Sequence, residues 1–154
     1  MQRYFTACSL IGLVALVGCT SRAASTSADA LVSAARSFMT GYGRDLSHGN
    51  REALVRRYDR RGAFFVGEGT KEYWPNDSIS SWYRHHWLAP AFVEFRNLSY
   101  EPLGDSAVAV IGQFRWTAKQ TTDTAMFAYT AILLKQNEHL VIRVEDESRP
   151  ALRL

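Results

Sequence analysis

"HLVIRVEDES", residues 139–148, alternates large apolar side chains with polar ones at a period of two, the pattern of a strand with one buried face. Carried through without interruption, the alternation places Leu140, Ile142, Val144, Asp146 and Ser148 on one face. Val141, Arg143, Glu145 and Glu147 fall on the other. The apolar face belongs inward, which puts Asp146 on the inner face, toward the mouth of whatever pocket the sheet encloses. There, partial burial raises a carboxyl's pKa and fits it to act as base, acid or hydrogen-bond partner. The opposing reading is a strand-end aspartate paired with Arg115 or Arg96.

Three more β-branched and aromatic runs precede this one: Phe92–Glu101, Ala107–Thr117 and Thr124–Lys135. The gaps at 102–105, 119–123 and 136–138 are each of hairpin length, so the second half of the chain reads as a four-stranded antiparallel meander. Before Pro90 the period is helical. Leu31, Ala34, Ala35, Phe38, Met39, Tyr42 and Leu46 predict a long amphipathic helix from Asp29 to about Ser47. His48-Gly49-Asn50 breaks it, and Asn50 caps a short second helix, Arg51–Tyr58, that buries Leu54, Val55 and Tyr58. Ala63–Val66 reads as a short strand running into a turn at Gly67-Glu68-Gly69. A third helix, Ser78–Leu88, carries Ile79, Trp82, Tyr83, His86 and Trp87 on one face and stops before Pro90. The expected class is α+β, with three N-terminal helices packed on a curved, mainly antiparallel sheet.

The start of the chain has a different character. Arg3 supplies a positive charge, and Tyr4–Gly18 form an apolar stretch too short for a comfortable membrane span of about 20 residues. Leu16-Val17-Gly18-Cys19 resembles the lipobox of bacterial lipoproteins, in which the cysteine is acylated and the chain is cut before it. The resemblance implies a signal peptide at 1–18, a lipidated Cys19 and a flexible tether of small polar residues through 28, with one domain over 29–150. An ordinary signal peptide cut nearer Ala23-Ala24 is the other reading. On the lipobox reading the protein is held at the membrane by lipid without spanning it. Thr20, where inner-membrane retention favours Asp, then implies the outer membrane, facing the periplasm, in a Gram-negative source. Cys8 and Cys19 are the two cysteines, so the mature domain is expected to hold together without a disulfide.

The net charge of +3 is slight, and the dense group Arg51, Arg56, Arg57, Arg60 and Arg61 reads as a solvated helix face. No basic and aromatic stripe suggests nucleic acid. His85 and His86 are adjacent, and on a helix they diverge by about 100°, so no metal site is expected there. His86 reads as a core or pocket histidine. There is no Gly-rich phosphate loop, GxSxG turn or thiol nucleophile in the expected mature chain, and no cofactor is expected.

The helix break at 48–50, the "LGDSAVAVIGQFRW" strand at 103–116 and the closing "HLVIRVEDES" together resemble the nuclear transport factor 2-like superfamily, the cone-shaped fold of SnoaL-like cyclases and ketosteroid isomerase. The resemblance implies a deep apolar pocket between helices and sheet, and homodimers formed through the sheet face. Counting from the helix break, the isomerase's tyrosine donor falls on Tyr42 and its carboxylate base on Val66, with Glu68 two residues further on. Valine cannot move a proton, so that chemistry is not expected, and Tyr42 can equally be a core aromatic with a satisfied hydroxyl. The abundant aromatics suit core, pocket or interface. The candidate pocket residues are Tyr42, Tyr58, Trp82, His86, Tyr129 and Asp146. The leading expectation is an anchored envelope protein that binds a small, partly apolar ligand or a protein partner. The rivals are an enzyme using Asp146, with Tyr42 or His86, for proton transfer, cyclisation or hydrolysis, and a structural protein assembling through its sheet.

Overall fold

A computed structural model describes residues 20–67 and 70–149; the expected signal peptide, Cys19 and Glu68 lie outside them. The elements run α1 (Thr20–His48), α2 (Arg51–Arg56), β1 (Ala63–Gly67), β2 (Thr70–Trp74), α3 (Asn76–His85), β3 (Phe92–Pro102), β4 (Ala107–Thr117), β5 (Thr124–Gln136) and β6 (His139–Ser148). The six strands form one curved sheet in the order β2-β1-β6-β5-β4-β3. Every pairing is antiparallel except β1 with β6.

α1 begins well before Asp29, so residues 21–27, expected as a flexible tether, have helical backbone. Ala28 and Ala30 have little side-chain entropy to lose, which favours the helix before Leu31. The helix buries Leu31, Ala35, Met39, Tyr42 and Leu46. Gly41 serves that packing, because a Cβ there would meet the Arg57 guanidinium at 2.7 Å. That guanidinium lies over the Phe38 ring and is bonded to Asp45.

At the end of α1, Gly49 takes the left-handed conformation, φ +66°. Its N–H donates to Leu46 O at 3.2 Å and that of Asn50 to Asp45 O at 2.9 Å, which satisfies two orphan carbonyls. The Asn50 side chain then accepts from Ala53 N and starts α2. α2 ends before Tyr58, earlier than expected, because the chain has by then joined the sheet. Ile142 N donates to Arg57 O at 2.7 Å and Asp59 N to Ile142 O at 3.0 Å. Three of the five clustered arginines are tied into the fold. Arg51 donates to Arg84 O (2.5 Å) in the last turn of α3 and to Trp87 O (3.0 Å) beyond its end, Arg57 pairs with Asp45, and Arg61 with Asp59.

β6 departs from strict alternation. Ile132 faces Val144 while Leu133 faces Ile142, so Arg143 is an extra residue, a β-bulge. The bulge sits where β6 changes neighbours: Ile142 is bridged to Tyr58, and from Val144 onward the strand pairs with β1. One added residue reverses the facing of everything after it. Leu140 and Ile142 stay in the core, but Glu145 and Glu147 now turn inward, and Val144 and Asp146 turn out. The expectation of an inward Asp146 is therefore corrected. Arg143 is anchored on the outer side, donating to Gly62 O at 2.6 Å and lying over the rings of Phe64 and Tyr73.

The core is the concave face of the sheet, including Val108, Val110, Phe114, Ala131, Leu133 and Ile142, closed by α1 and α2. α3 covers the end near β1 and β2. Its last turn is tight, with His86 N and Trp87 N both donating to Trp82 O at 2.9 Å. This turns Trp87 into the core and leaves His86 exposed.

Candidate functional site

Between α3, the β1–β2 hairpin and the inward face of β6 lies a cavity of about 370 Å³. Its floor is Glu145, buried to 2 % accessibility. Tyr42 and Tyr129 hydroxyls donate to Glu145 Oε1 at 3.0 Å each, and the Tyr58 hydroxyl donates to Oε2 at 2.5 Å. Tyr83 continues the chain outward, its hydroxyl 2.9 Å from that of Tyr58, and Tyr42 stands 3.1 Å from Tyr58 on the other side. One carboxyl thus gathers hydroxyls from α1, the segment after α2, and β5, and through Tyr58 reaches α3.

The network satisfies Glu145 in either protonation state. As a carboxylate it accepts three O–H bonds while Tyr83 donates to Tyr58. As an acid it donates to Tyr58, whose own proton turns to Tyr42 or Tyr83. Burial pushes the Glu145 carboxyl above the ordinary range, and the bonds from Tyr58, Tyr42 and Tyr129 hold the rise back. Burial, followed by the nearby Glu145 charge, raises the phenols of Tyr42, Tyr58 and Tyr129 well above their usual value.

Glu147 lies further out on the same face. It is accessible at the cavity mouth, yet the protein around it displaces much of its hydration. That loss, together with repulsion from Glu145 and Asp146, pushes its carboxyl up. Glu72 of β2 is the third lining carboxyl and accepts from Trp74 Nε1 at 2.9 Å.

The walls are aromatic. Tyr58, Phe65, Trp74, Trp82 and Tyr83 form a closed cycle of ring contacts, with centroid separations of 5.6, 5.1, 6.2, 6.3 and 5.8 Å in that order round the cycle. Trp87 leans edge-on against Tyr83 at 5.4 Å, and Trp116 also lines the space.

Of the residues singled out from sequence, Tyr42, Tyr58 and Trp82 line this cavity, and Tyr129 supports its floor from below. His86 does not; it lines one depression along α3 and a second between the end of α3 and β4 to β6, which borders the cavity through Trp82, Trp87, Trp116 and Glu147. Asp146 is absent from the lining and instead accepts from Ser148 Oγ at 2.5 Å. Arg96 and Arg115, its alternative partners, both face Glu94. Val66, the position on which the resemblance puts the isomerase base, lines the cavity. Among the described residues, no group of histidines and acids is arranged to hold a metal ion.

Comparison with known proteins places the fold. No family model matches the sequence, and no curated protein matches it. Solved structures do match. An NTF2-like protein with a cystatin-like fold from Novosphingobium aromaticivorans superposes with a TM-score of 0.67 at 12% identity, over 90% of this chain and 94% of that one. An NTF2-like protein of unknown function from Shewanella oneidensis gives 0.65 at 14% identity, over 76% and 98%. A candidate scytalone dehydratase, also from N. aromaticivorans, gives 0.64 at 8% identity, over 82% and 88%. The chain therefore has the NTF2-like, cystatin-like α+β fold: helices packed on a curved, mixed, unclosed sheet. In this chain a glutamate held by three tyrosines forms the base of an aromatic cavity.

Proposed function

We propose that this domain binds a small, partly apolar molecule in the Glu145 cavity, and that Cys19 carries the lipid that tethers it to the cell envelope. The observation that carries the binding reading is a space of about 370 Å³, walled by aromatic rings, with a buried and fully hydrogen-bonded carboxyl at its floor. Cavities of this size suit ligands rather than packing defects, and convergent polar groups at the floor fix orientation.

A second reading is supported by the hydroxyl chain Tyr83–Tyr58–Glu145, which links the cavity to a carboxyl held above its ordinary range and resembles a path for proton transfer. In that reading Glu145, not Asp146, is the acid or base.

Native mass spectrometry of the domain, purified from its own host without refolding, tests both. A co-purifying small molecule, lost in Trp82→Ala, is the expected result, and its return unchanged after incubation with fresh protein favours binding. Its conversion by wild type but not by Glu145→Gln favours the enzyme, and an empty wild-type domain counts against both. For the anchor, incorporation of a labelled fatty acid in the native host is expected and should disappear in Cys19→Ser. Equal labelling of the two would remove Cys19 from the proposal.

A further inference from the structure

Resting on the binding reading, we infer that the ligand of the Glu145 cavity is an organic cation, with an ammonium or quaternary ammonium group seated among the aromatic rings. The geometry of the walls carries this. Five rings close a cycle whose adjacent centroids are 5.1 to 6.3 Å apart, and all five line the same space. A regular cycle with edges of that length has a radius of about 5 Å, within the roughly 6 Å over which a cation is attracted to an aromatic ring. Neighbouring rings are tilted by 28 to 55°, less than the about 72° that a cage with every face inward would need, so part of the cycle offers a face to an occupant and the rest an edge; a tryptophan face attracts a cation most strongly. All four tryptophans of the protein line this one cavity.

The charged groups select the sign. Glu72, Glu145 and Glu147 line the cavity, and among the described residues no lysine, arginine or histidine does. An anionic ligand would meet three carboxyls and no counter-charge. A neutral one would leave Glu145 as the apolar walls leave it, short of hydration. A cation would draw Glu145 and Glu147 toward their ionised forms, so its binding releases protons and tightens as pH rises.

The groups that shape this response come from every side. Glu145 faces Tyr42 of α1, Tyr58, Tyr83 of α3 and Tyr129 of β5. Glu147 faces Glu145, Asp146, Tyr83 and Tyr129, and on its outer side shares a depression with His86 and Lys119. The last two lie outside the aromatic cycle, where they favour a ligand whose positive end is the buried one.

A matched pair tests the inference: choline and its uncharged carbon isostere, 3,3-dimethylbutan-1-ol. Every tryptophan lines the cavity, so intrinsic fluorescence follows the titration; because Trp74, Trp82, Trp87 and Trp116 also border the neighbouring depressions, the Glu147→Gln variant is what assigns the signal to this site. Choline is expected to bind at least tenfold more tightly than the alcohol, since two or three ring faces suffice for that ratio. Its affinity should rise severalfold from pH 5 to pH 8 while that of the alcohol stays flat. Glu147→Gln, at the accessible mouth, should weaken choline severalfold and leave the alcohol unchanged, with the melting temperature confirming that the variant folds. Equal binding of the two, or tighter binding of the alcohol, overturns the cation and leaves the binding reading standing. Binding of neither up to about 10 mM, a range in which weak head-group affinity is measurable, also overturns it. The binding reading is then judged separately by the co-purifying mass.

Discussion

Glu145→Ala is expected to lower folding stability by about 2–4 kcal/mol, a large share of the stability of an ordinary domain. The loss is not that of a single favourable contact. Removing the carboxyl strands the buried Tyr129 hydroxyl and leaves those of Tyr42 and Tyr58 with only each other and Tyr83, and each unsatisfied buried group costs about 1–3 kcal/mol before local relaxation. Tyr42 and Tyr58 retain each other, and Tyr58 also retains Tyr83, which is why the total falls well short of three full penalties. Glu145→Gln should behave differently. Its carbonyl still accepts and its amide donates to Tyr58, so the network closes with the proton pattern of the acid form, at a cost of about 1 kcal/mol or less. Tyr129→Phe removes one donor and keeps the carboxyl, and should cost about 1–2 kcal/mol. Urea unfolding followed by circular dichroism separates the three. An alanine variant within 1 kcal/mol of wild type would mean that the hydroxyls find other partners and that the cavity floor is not the fold's keystone.

The acid at that floor was not the one the sequence pointed to, and the reason is a single residue. The strands were legible because β3 to β6 alternate strongly and their hairpin gaps are short; their observed ends differ from the expected ones by no more than one residue. A bulge leaves no comparable mark. Arg143 is an ordinary outward polar residue in "HLVIRVEDES", and its role as the extra residue depends on β6 passing from Tyr58 to β1, contacts made by chain more than 75 residues away. The signal available was indirect: two glutamates, Glu145 and Glu147, two apart on a strand of a fold that otherwise buries one face. β2 was missed for the opposite reason. As an edge strand it is exposed along most of its length, so "TKEYW" carries no alternation to read. The aromatic residues were visible, but that five of them close a cycle depends on α3 being laid across the β1–β2 hairpin, which periodicity does not encode.

The stability of the domain is expected to fall as pH rises from about 5 to about 8.5, a direction opposite to that of proteins dominated by surface ion pairs. Glu145 and Glu147 both have carboxyls raised in the folded state, Glu145 chiefly by burial, and Glu147 by lost hydration followed by repulsion from Glu145 and Asp146. In the unfolded chain both release their protons near the ordinary glutamate value. Between that value and the folded one, the native state holds protons that the unfolded state has given up, so the free energy of unfolding decreases with increasing pH. The contribution is intact below the ordinary glutamate range and is lost as pH passes through the folded values, which for Glu147 reach about 8. Water at the cavity mouth screens Glu147, so the combined loss falls short of the full linkage of two enclosed carboxyls. The acid limb has a different origin. Burial would raise Asp59, but bonds from the Arg61 side chain and backbone hold it at about 2; the covering Arg61 is itself two-thirds exposed, so the enclosure is shallow and the guanidinium prevails. Stability from Asp59 is present above the ordinary aspartate range and drains away as pH falls toward 2. Maximum stability therefore lies near pH 4–5, with urea midpoints declining on either side. The double variant Glu145→Gln, Glu147→Gln should flatten the alkaline limb and leave the acid limb in place. A wild-type midpoint that holds steady from pH 5 to 8.5 would show that both carboxyls ionise as freely in the cavity as in water. In that case no proton would be displaced by a cation entering among the rings.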